Sequence, residues 1–241
     1  GAQACTALRK QLKGRKDVEI REVSCIGRCD SAPAGFVGHT PVRIDDAKLA
    51  KSLGRPLELK AAPPQAWAAD VSRGYEALRA ALGKDRDAIV TALKGSNLRG
   101  MGGAGFPTGM KWELVKKEPA SPKYVICNAD ESEPGTFKDR LILDEMPHLV
   151  IEGMALGAFT VGSERGTVFI RHEYEKERRS LERAIQEAYR SGALGKNIFG
   201  SGFTFEIDVF VSPGGFVLGE ETALLESIED KRGEPRNKPP F

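Results

Sequence analysis

Apolar and polar positions alternate regularly in two parts of the chain and lose their period between them. Val18 to Cys25 (VEIREVSC) alternates as a half-buried strand does, and an amphipathic helical stretch around Ala7 to Leu12 precedes it. Together they predict a small α/β unit over residues 1–50. From about Gly38 to Pro64 the periodicity fades into Pro, Gly and Lys and closes on AAPPQAW, so residues 51–67 are expected to be a linker. The second unit, 68–241, opens with helical periodicity at 69–82 and 85–94, the latter expected to end at Gly95 in a left-handed cap. A short helix is expected at Lys111 to Lys117, an apolar strand at Tyr124 to Cys127 and a small-residue helix at Ile142 to Ala158. A strand at Thr167 to Glu173 (TVFIRHE), a charged amphipathic helix (YEKERRSLERAIQEAYRSG) and the clean alternation FTFEIDVFV at 203–211 complete the pattern. Strands separated by helices predict an α/β class with a largely parallel sheet.

Composition narrows the function. With 36 basic and 34 acidic residues the net charge is +2, which offers no electrostatic reason for binding nucleic acid or an anionic membrane surface. The most apolar window, His148 to Gly162, is interrupted by Glu152 and falls short of a spanning helix. The N-terminus has no apolar stretch of signal-peptide length, and four unevenly spaced cysteines do not read as a disulfide framework, so a reducing cytoplasm is the expected location. A first residue that is Gly and a last stretch that reads KPPF suggest a fragment.

Three loops carry unusual chemistry. LRGMGGAGFPTGMKW, Leu98 to Trp112, holds five glycines in fifteen residues, and Gly100, Gly102 and Gly105 spell G-x-G-x-x-G. That spelling marks a dinucleotide site when a strand precedes it, whereas here a helix precedes and the strand follows, which argues against a simple Rossmann assignment. Bare backbone leading into a helix that carries Lys111 makes an anion site, best suited to phosphate; a loop that merely needs turns is the alternative. The second loop, NADESEPGTF from Asn128 to Phe137, follows a strand, where open α/β sheets bind ligands. Asn128, Asp130, Glu131 and Glu133 offer acceptors and an amide, suited to ribityl or sugar hydroxyls and ring N–H groups. A solvated acidic turn is the plainer reading, and the spacing is not that of an EF-hand. In the third, GEETALLESIEDKRGEPRNKPPF, Gly219, Glu220 and Glu221 open a helix, and Lys231, Arg232, Arg236 and Lys238 read by themselves as a solvated basic run.

Together the three runs resemble, in order, the signatures of the FMN-containing, NADH-oxidising flavoprotein subunit of respiratory complex I and its relatives in NAD-linked formate dehydrogenases and hydrogenases. The resemblance covers about Ala68 to Phe241. It implies a Rossmann-like FMN-binding domain in which Gly100, Gly102, Gly103 and Lys111 serve the FMN and Asn128, Asp130 and Glu131 meet its ribityl and ring. Gly219 and Glu220 would close over the flavin, while Ala104, Phe106 and Glu133 would face NADH, with Phe106 on adenine. Glu221 would lie near the nicotinamide amide and Lys238 near the dinucleotide, which makes Glu133 and Glu221 the candidate catalytic pair, acting by positioning. Phe216 stands where the family often has Tyr, and Leu218 where Cys is common. The wording most resembles the diaphorase subunit of a soluble NAD-dependent formate dehydrogenase, with a hydrogenase or complex I subunit as alternatives. Iron–sulfur and substrate-oxidising subunits would be its partners, and a [4Fe-4S] cluster is expected beyond the 241 residues, as is a further segment lining the flavin.

Upstream, SCIGRCDSAPAG resembles the second half of a thioredoxin-like [2Fe-2S] ferredoxin. Cys25 and Cys29 with Cys5 give three thiolates where such a cluster needs four, so the expectation leans to an incomplete site.

Overall fold

The computed structural model describes residues 2–21, 34–37, 40–44, 74–102 and 104–237. Near the N-terminus, α1 (Ala2–Gln11) buries Leu8 and Leu12 against Val18, Ile20, Val37 and Ile44. Val18 to Arg21 has no regular structure, so the strand expected there does not start where the alternation does. Residues 22–25 of that expected strand lie outside the described residues, and among the described ones the sheet of this unit is an antiparallel hairpin of β1 (Ala34–Val37) and β2 (Thr40–Arg43), the latter inside the aperiodic stretch. The expected linker, 51–67, lies outside the described residues.

The second unit begins with α2 (Glu76–Leu82) and α3 (Arg86–Ser96). The helix α3 runs past Gly95 and ends at Asn97, whose φ of 55° is the left-handed conformation that a short polar side chain tolerates. Next come α4 (Thr108–Lys117), β3 (Tyr124–Ala129), α5 (Lys138–Glu145), α6 (Pro147–Val161), β4 (Arg165–Arg171), α7 (Glu175–Arg190), β5 (Glu206–Ser212) and α8 (Glu221–Ile228). The single helix expected over 142–158 is two, because Pro147 disfavours helical geometry at Met146, which takes φ −134°. The strand β3 is two residues longer than expected, so Asn128 is its penultimate residue rather than the start of a loop.

The three strands form one parallel sheet in the order β3-β4-β5, as the strand–helix alternation implies. The register sets Asn128, Phe169 and Phe210 in one row and Ala129, Ile170 and Val211 in the next. Side chains alternate in direction along a strand. Val125, Cys127, Ala129, Val168, Ile170, Ile207 and Val209 therefore share one face and enter the main core with α6 and α7. Phe169, with Ile126 and Phe210, takes the other face, where Leu218, Leu224 and Ile228 cover it. In α7 charged residues alternate with an apolar stripe of Leu181, Ala184, Ile185 and Ala188, and the stripe faces the core. No helix among the described residues is long and apolar enough to cross a membrane.

Candidate functional site

Of the polar residues singled out from the sequence, Asn128, Asp130, Glu131 and Glu220 gather at the carboxyl edge of the sheet. Asn128, near the end of β3, donates from Nδ2 to the Gly219 carbonyl at 2.8 Å, and its Oδ1 accepts from the Asp130 N–H at 3.2 Å. One side chain thus ties together two loops that are 91 residues apart. Gly219 packs closely here: a Cβ there would sit 3.1 Å from the Asp130 carbonyl oxygen, a tight contact that the loop would have to ease. The second and third loops meet here.

Beneath this junction lies a buried polar network. The Ser132 hydroxyl donates to Asp130 Oδ2 at 2.6 Å, while Asp130 Oδ1 is buried with no hydrogen-bond partner among the described residues. Burial pushes the Asp130 carboxyl above its ordinary range, against the Ser132 hydroxyl and the Arg171 guanidinium, which pull it down. Glu131 is committed elsewhere: its carboxylate accepts from the Asp139 N–H at 2.8 Å, the Arg140 N–H at 3.3 Å and the Tyr174 hydroxyl at 3.0 Å. A buried anion therefore caps the first turn of α5, satisfying N–H groups that the helix leaves open. Arg171, the last residue of β4 and 5% exposed, donates to the Glu131 carbonyl at 2.8 Å and forks onto Glu173 at 2.6 and 3.1 Å. Despite its burial, Glu173 is held below its ordinary range by the Arg171 hydrogen bonds, whereas burial and the Glu131 carboxylate push the Tyr174 phenol up. Cys127, under the core face of β3, has its thiol pushed up to about 12 by burial and the nearby Asp139, so it is an inert thiol.

The glycine loop is pinned at its base and open at its tip. Arg99 and Pro107 form an antiparallel bridge, the Gly100 N–H donates to the Phe106 carbonyl at 2.9 Å, the Thr108 N–H to the Leu98 carbonyl at 2.9 Å, and Arg99 to the Gly105 carbonyl at 3.0 Å. The two backbone bonds of the bridge and the Arg99 side-chain bond close the loop on itself. A Cβ added at Gly102 or Gly105 would meet no atom within 4 Å, so neither is required by packing within the chain. Gly105 has φ +62°, which favours glycine by itself. Gly109 differs: a Cβ there would come within 2.7 Å of the Lys94 backbone nitrogen, so it is glycine to let α4 cross α3. Ala104, Met101 and Phe106 are exposed, and Lys111 is exposed on the first turn of α4.

Glu220 is the N-cap of α8, its carboxylate accepting from the Thr222 N–H at 2.8 Å, the Ala223 N–H at 2.9 Å and the Thr222 hydroxyl at 2.5 Å. Glu133 and Glu221 are exposed, on the second and third loops. Gly103, Lys238, Cys25 and Cys29 lie outside the described residues; Cys5 is a free, partly buried thiol in α1. The sequence reading missed Arg171, Tyr174, Ser132 and Thr222. For Arg171 a signal existed, a charge closing the apolar run TVFI at the ligand side of the sheet.

Fold and loops define a parallel α/β cofactor-binding domain with its ligand side at the carboxyl edge of the sheet. The chain belongs to the family of the Nuo51 FMN-binding domain, whose sequence model matches residues 93–241. It is 56% identical over 169 residues to one of the NADH-quinone oxidoreductase subunits of Rhizobium meliloti (strain 1021), covering 70% of this chain and 40% of that protein. It is 52% identical over 169 residues to the HndC subunit of the NADP-reducing hydrogenase of Solidesulfovibrio fructosivorans, covering 70% of this chain and 34% of that protein. A crystal structure of NAD+-reducing [NiFe]-hydrogenase in the H2-reduced state superposes with a TM-score of 0.81 at 29% identity, over 100% of this chain and 45% of that one. The chain thus spans between about a third and just under half the length of these relatives.

The residues present fit an FMN. Asp130 Oδ1 is a buried acceptor left without a partner among the described residues, which suits a ligand hydroxyl. Open backbone at Gly102 and Gly105, with Lys111 on the helix that follows, suits a phosphate.

Proposed function

We propose that this chain is the FMN- and NAD(H)-binding module of an NADH:acceptor oxidoreductase, working inside a multi-subunit enzyme. Support comes above all from the junction of Asn128, Asp130 and Gly219 at the carboxyl edge, where an acceptor buried without a partner among the described residues and a tight backbone contact at Gly219 sit on two loops of the matched family. The names of the relatives point the same way.

When bound, the flavin supplies the chemistry, taking a hydride and releasing its electrons singly. The protein's part is placement. Gly100, Gly102, Gly103 and Lys111 hold the phosphate end; Asn128 and Asp130 meet the ribityl chain, with Gly219 and Glu220 above it. The Glu131 carboxylate acts one step back, since it caps α5 and fixes the loop that carries Asp130. Ala104, Phe106 and Glu133 face the dinucleotide, Phe106 offering its exposed ring to adenine, and Glu221 and Lys238 complete that side. Glu133 and Glu221 position the nicotinamide, and no acid–base group is needed for hydride transfer.

For the wider enzyme we propose the diaphorase subunit of a soluble NAD-dependent formate dehydrogenase in the cytoplasm, exchanging electrons through a [4Fe-4S] cluster with iron–sulfur and formate-oxidising partner subunits. A hydrogenase diaphorase is the second reading, favoured by the superposition of the whole chain on an NAD+-reducing hydrogenase. For the N-terminal cysteines the proposal remains an incomplete [2Fe-2S] site. Flavin absorbance that bleaches on anaerobic addition of NADH supports the module, and a protein that takes up no flavin refutes it. Mass spectrometry of co-purifying subunits distinguishes formate-oxidising from hydrogen-oxidising partners.

A further inference from the structure

The basic run after α8 reads as a solvated tail, yet it returns to the site. After Ile228 the chain reverses at Asp230, which takes φ 58°, and the Lys231 N–H donates to the Glu226 carbonyl at 2.9 Å. Residues 229–237 then run back along α8. Gly233 lies so close to Leu218 that a Cβ would stand 2.1 Å from its Cδ2. The Arg236 N–H donates to Thr222 Oγ1 at 2.8 Å, and its guanidinium bonds to Glu226 and, at 3.1 Å, to Glu229. With 41% of the Arg236 side chain exposed, those ion pairs hold little by themselves; the fixed backbone bond and the Gly233 contact set the register.

Thr222 is where this strap joins the site. Its hydroxyl accepts from Arg236 and donates to Glu220 Oε2, so one oxygen links the strap to the carboxylate beside Gly219, whose carbonyl is held by Asn128. Among the described residues of the strap, Lys231 pairs with Glu229, Arg232 with Glu234, and Arg236 with Glu226 and Glu229, so each of its cations is already matched. Such a strap contributes placement rather than attraction to an anionic ligand.

We propose that Thr222 is a positioning residue that locks the strap 229–237 against the start of α8, where the strap, tied to Glu220 and next to Glu221, would form a wall of the NAD(H) site. This rests on the NAD(H) reading above. Thr222→Val removes both bonds of the hydroxyl while keeping its shape, and Thr222→Ser keeps both. In the flavin-loaded protein, hydrogen–deuterium exchange of residues 233–237 should quicken about tenfold in Thr222→Val, the order expected for losing one intramolecular bond. The dissociation constant and KM for NADH should rise about three- to tenfold on the same basis, with kcat and FMN content changed far less and with Thr222→Ser close to the unaltered protein. Unchanged exchange in Thr222→Val overturns the lock. Faster exchange with an unchanged NADH dissociation constant overturns the wall. If the unaltered protein binds no NADH, the functional reading and the wall both fail, while the exchange experiment still decides the lock.

Discussion

Replacing Glu131 with Gln separates a residue that shapes the loop from one that touches the ligand. The Glu131 carboxylate is buried and divides its oxygens, Oε1 accepting from the Asp139 N–H and Oε2 from the Arg140 N–H and the Tyr174 hydroxyl. Gln keeps an acceptor for Asp139, and the Tyr174 hydroxyl can turn to accept from the new amide. The Arg140 N–H then faces an N–H donor, and the first turn of α5 loses its anion. One charge-assisted bond contributes about 1.5–3 kcal/mol, and an anion at a helix N-terminus about 0.3–1 kcal/mol. The expected loss is therefore about 2–4 kcal/mol, or roughly 4–16 °C in Tm for a chain of this size. Thermal unfolding of the flavin-free protein measures it, and FMN titration should show weaker binding alongside, because Asp130 rides on the same loop. A Tm within about 1 °C of the unaltered protein, with flavin binding lost, would refute this reasoning and place the carboxylate on the ligand.

Three further outcomes are expected. Asp130→Asn should stabilise the flavin-free protein at neutral pH while weakening FMN binding, because burial raises the Asp130 titration and the folded state then disfavours its charge. That gain is largest above the raised titration, shrinks as pH falls through it and vanishes below the ordinary aspartate range near about pH 4, which chemical denaturation across pH would follow. Gly109→Ala should cost about 1–3 kcal/mol in a denaturant melt, since its Cβ would meet the Lys94 backbone at 2.7 Å, where no side chain can swing aside. Lys111→Ala should leave the fold intact, the side chain being exposed, and lower the flavin content of the purified protein; full flavin occupancy would remove Lys111 from the phosphate end.

Much of the site's chemistry was legible along the chain, because it is written in short runs. The bare backbone of Leu98 to Trp112 and the acceptors of Asn128 to Glu133 announce a ligand locally. Bonding partners were not legible in the same way. Arg171 and Tyr174 lie 40 and 43 residues from Glu131, and Arg236 lies 14 residues beyond Thr222. Nothing within a window of one helix or strand relates them. Local differences have local causes: Asn97, not Gly95, takes the left-handed conformation that ends α3, and Pro147 divides a stretch whose helical period is continuous.

The sequence by itself determined the α/β class and, in the second unit, the order of strands and helices apart from the break at Pro147, since period-two and period-3.6 patterns depend only on which residues must leave water. It also determined which loops bear unusual chemistry. Only the tertiary structure decided how each polar group is spent. Parallel pairing brings the ends of β3, β4 and β5 together, and at that edge a carboxylate is used up or left open according to what the sheet places beside it. Glu131 and Asp130 are adjacent acids on one loop. The first is consumed by α5 and Tyr174, while one oxygen of the second is buried without a partner among the described residues, a difference set by long-range packing.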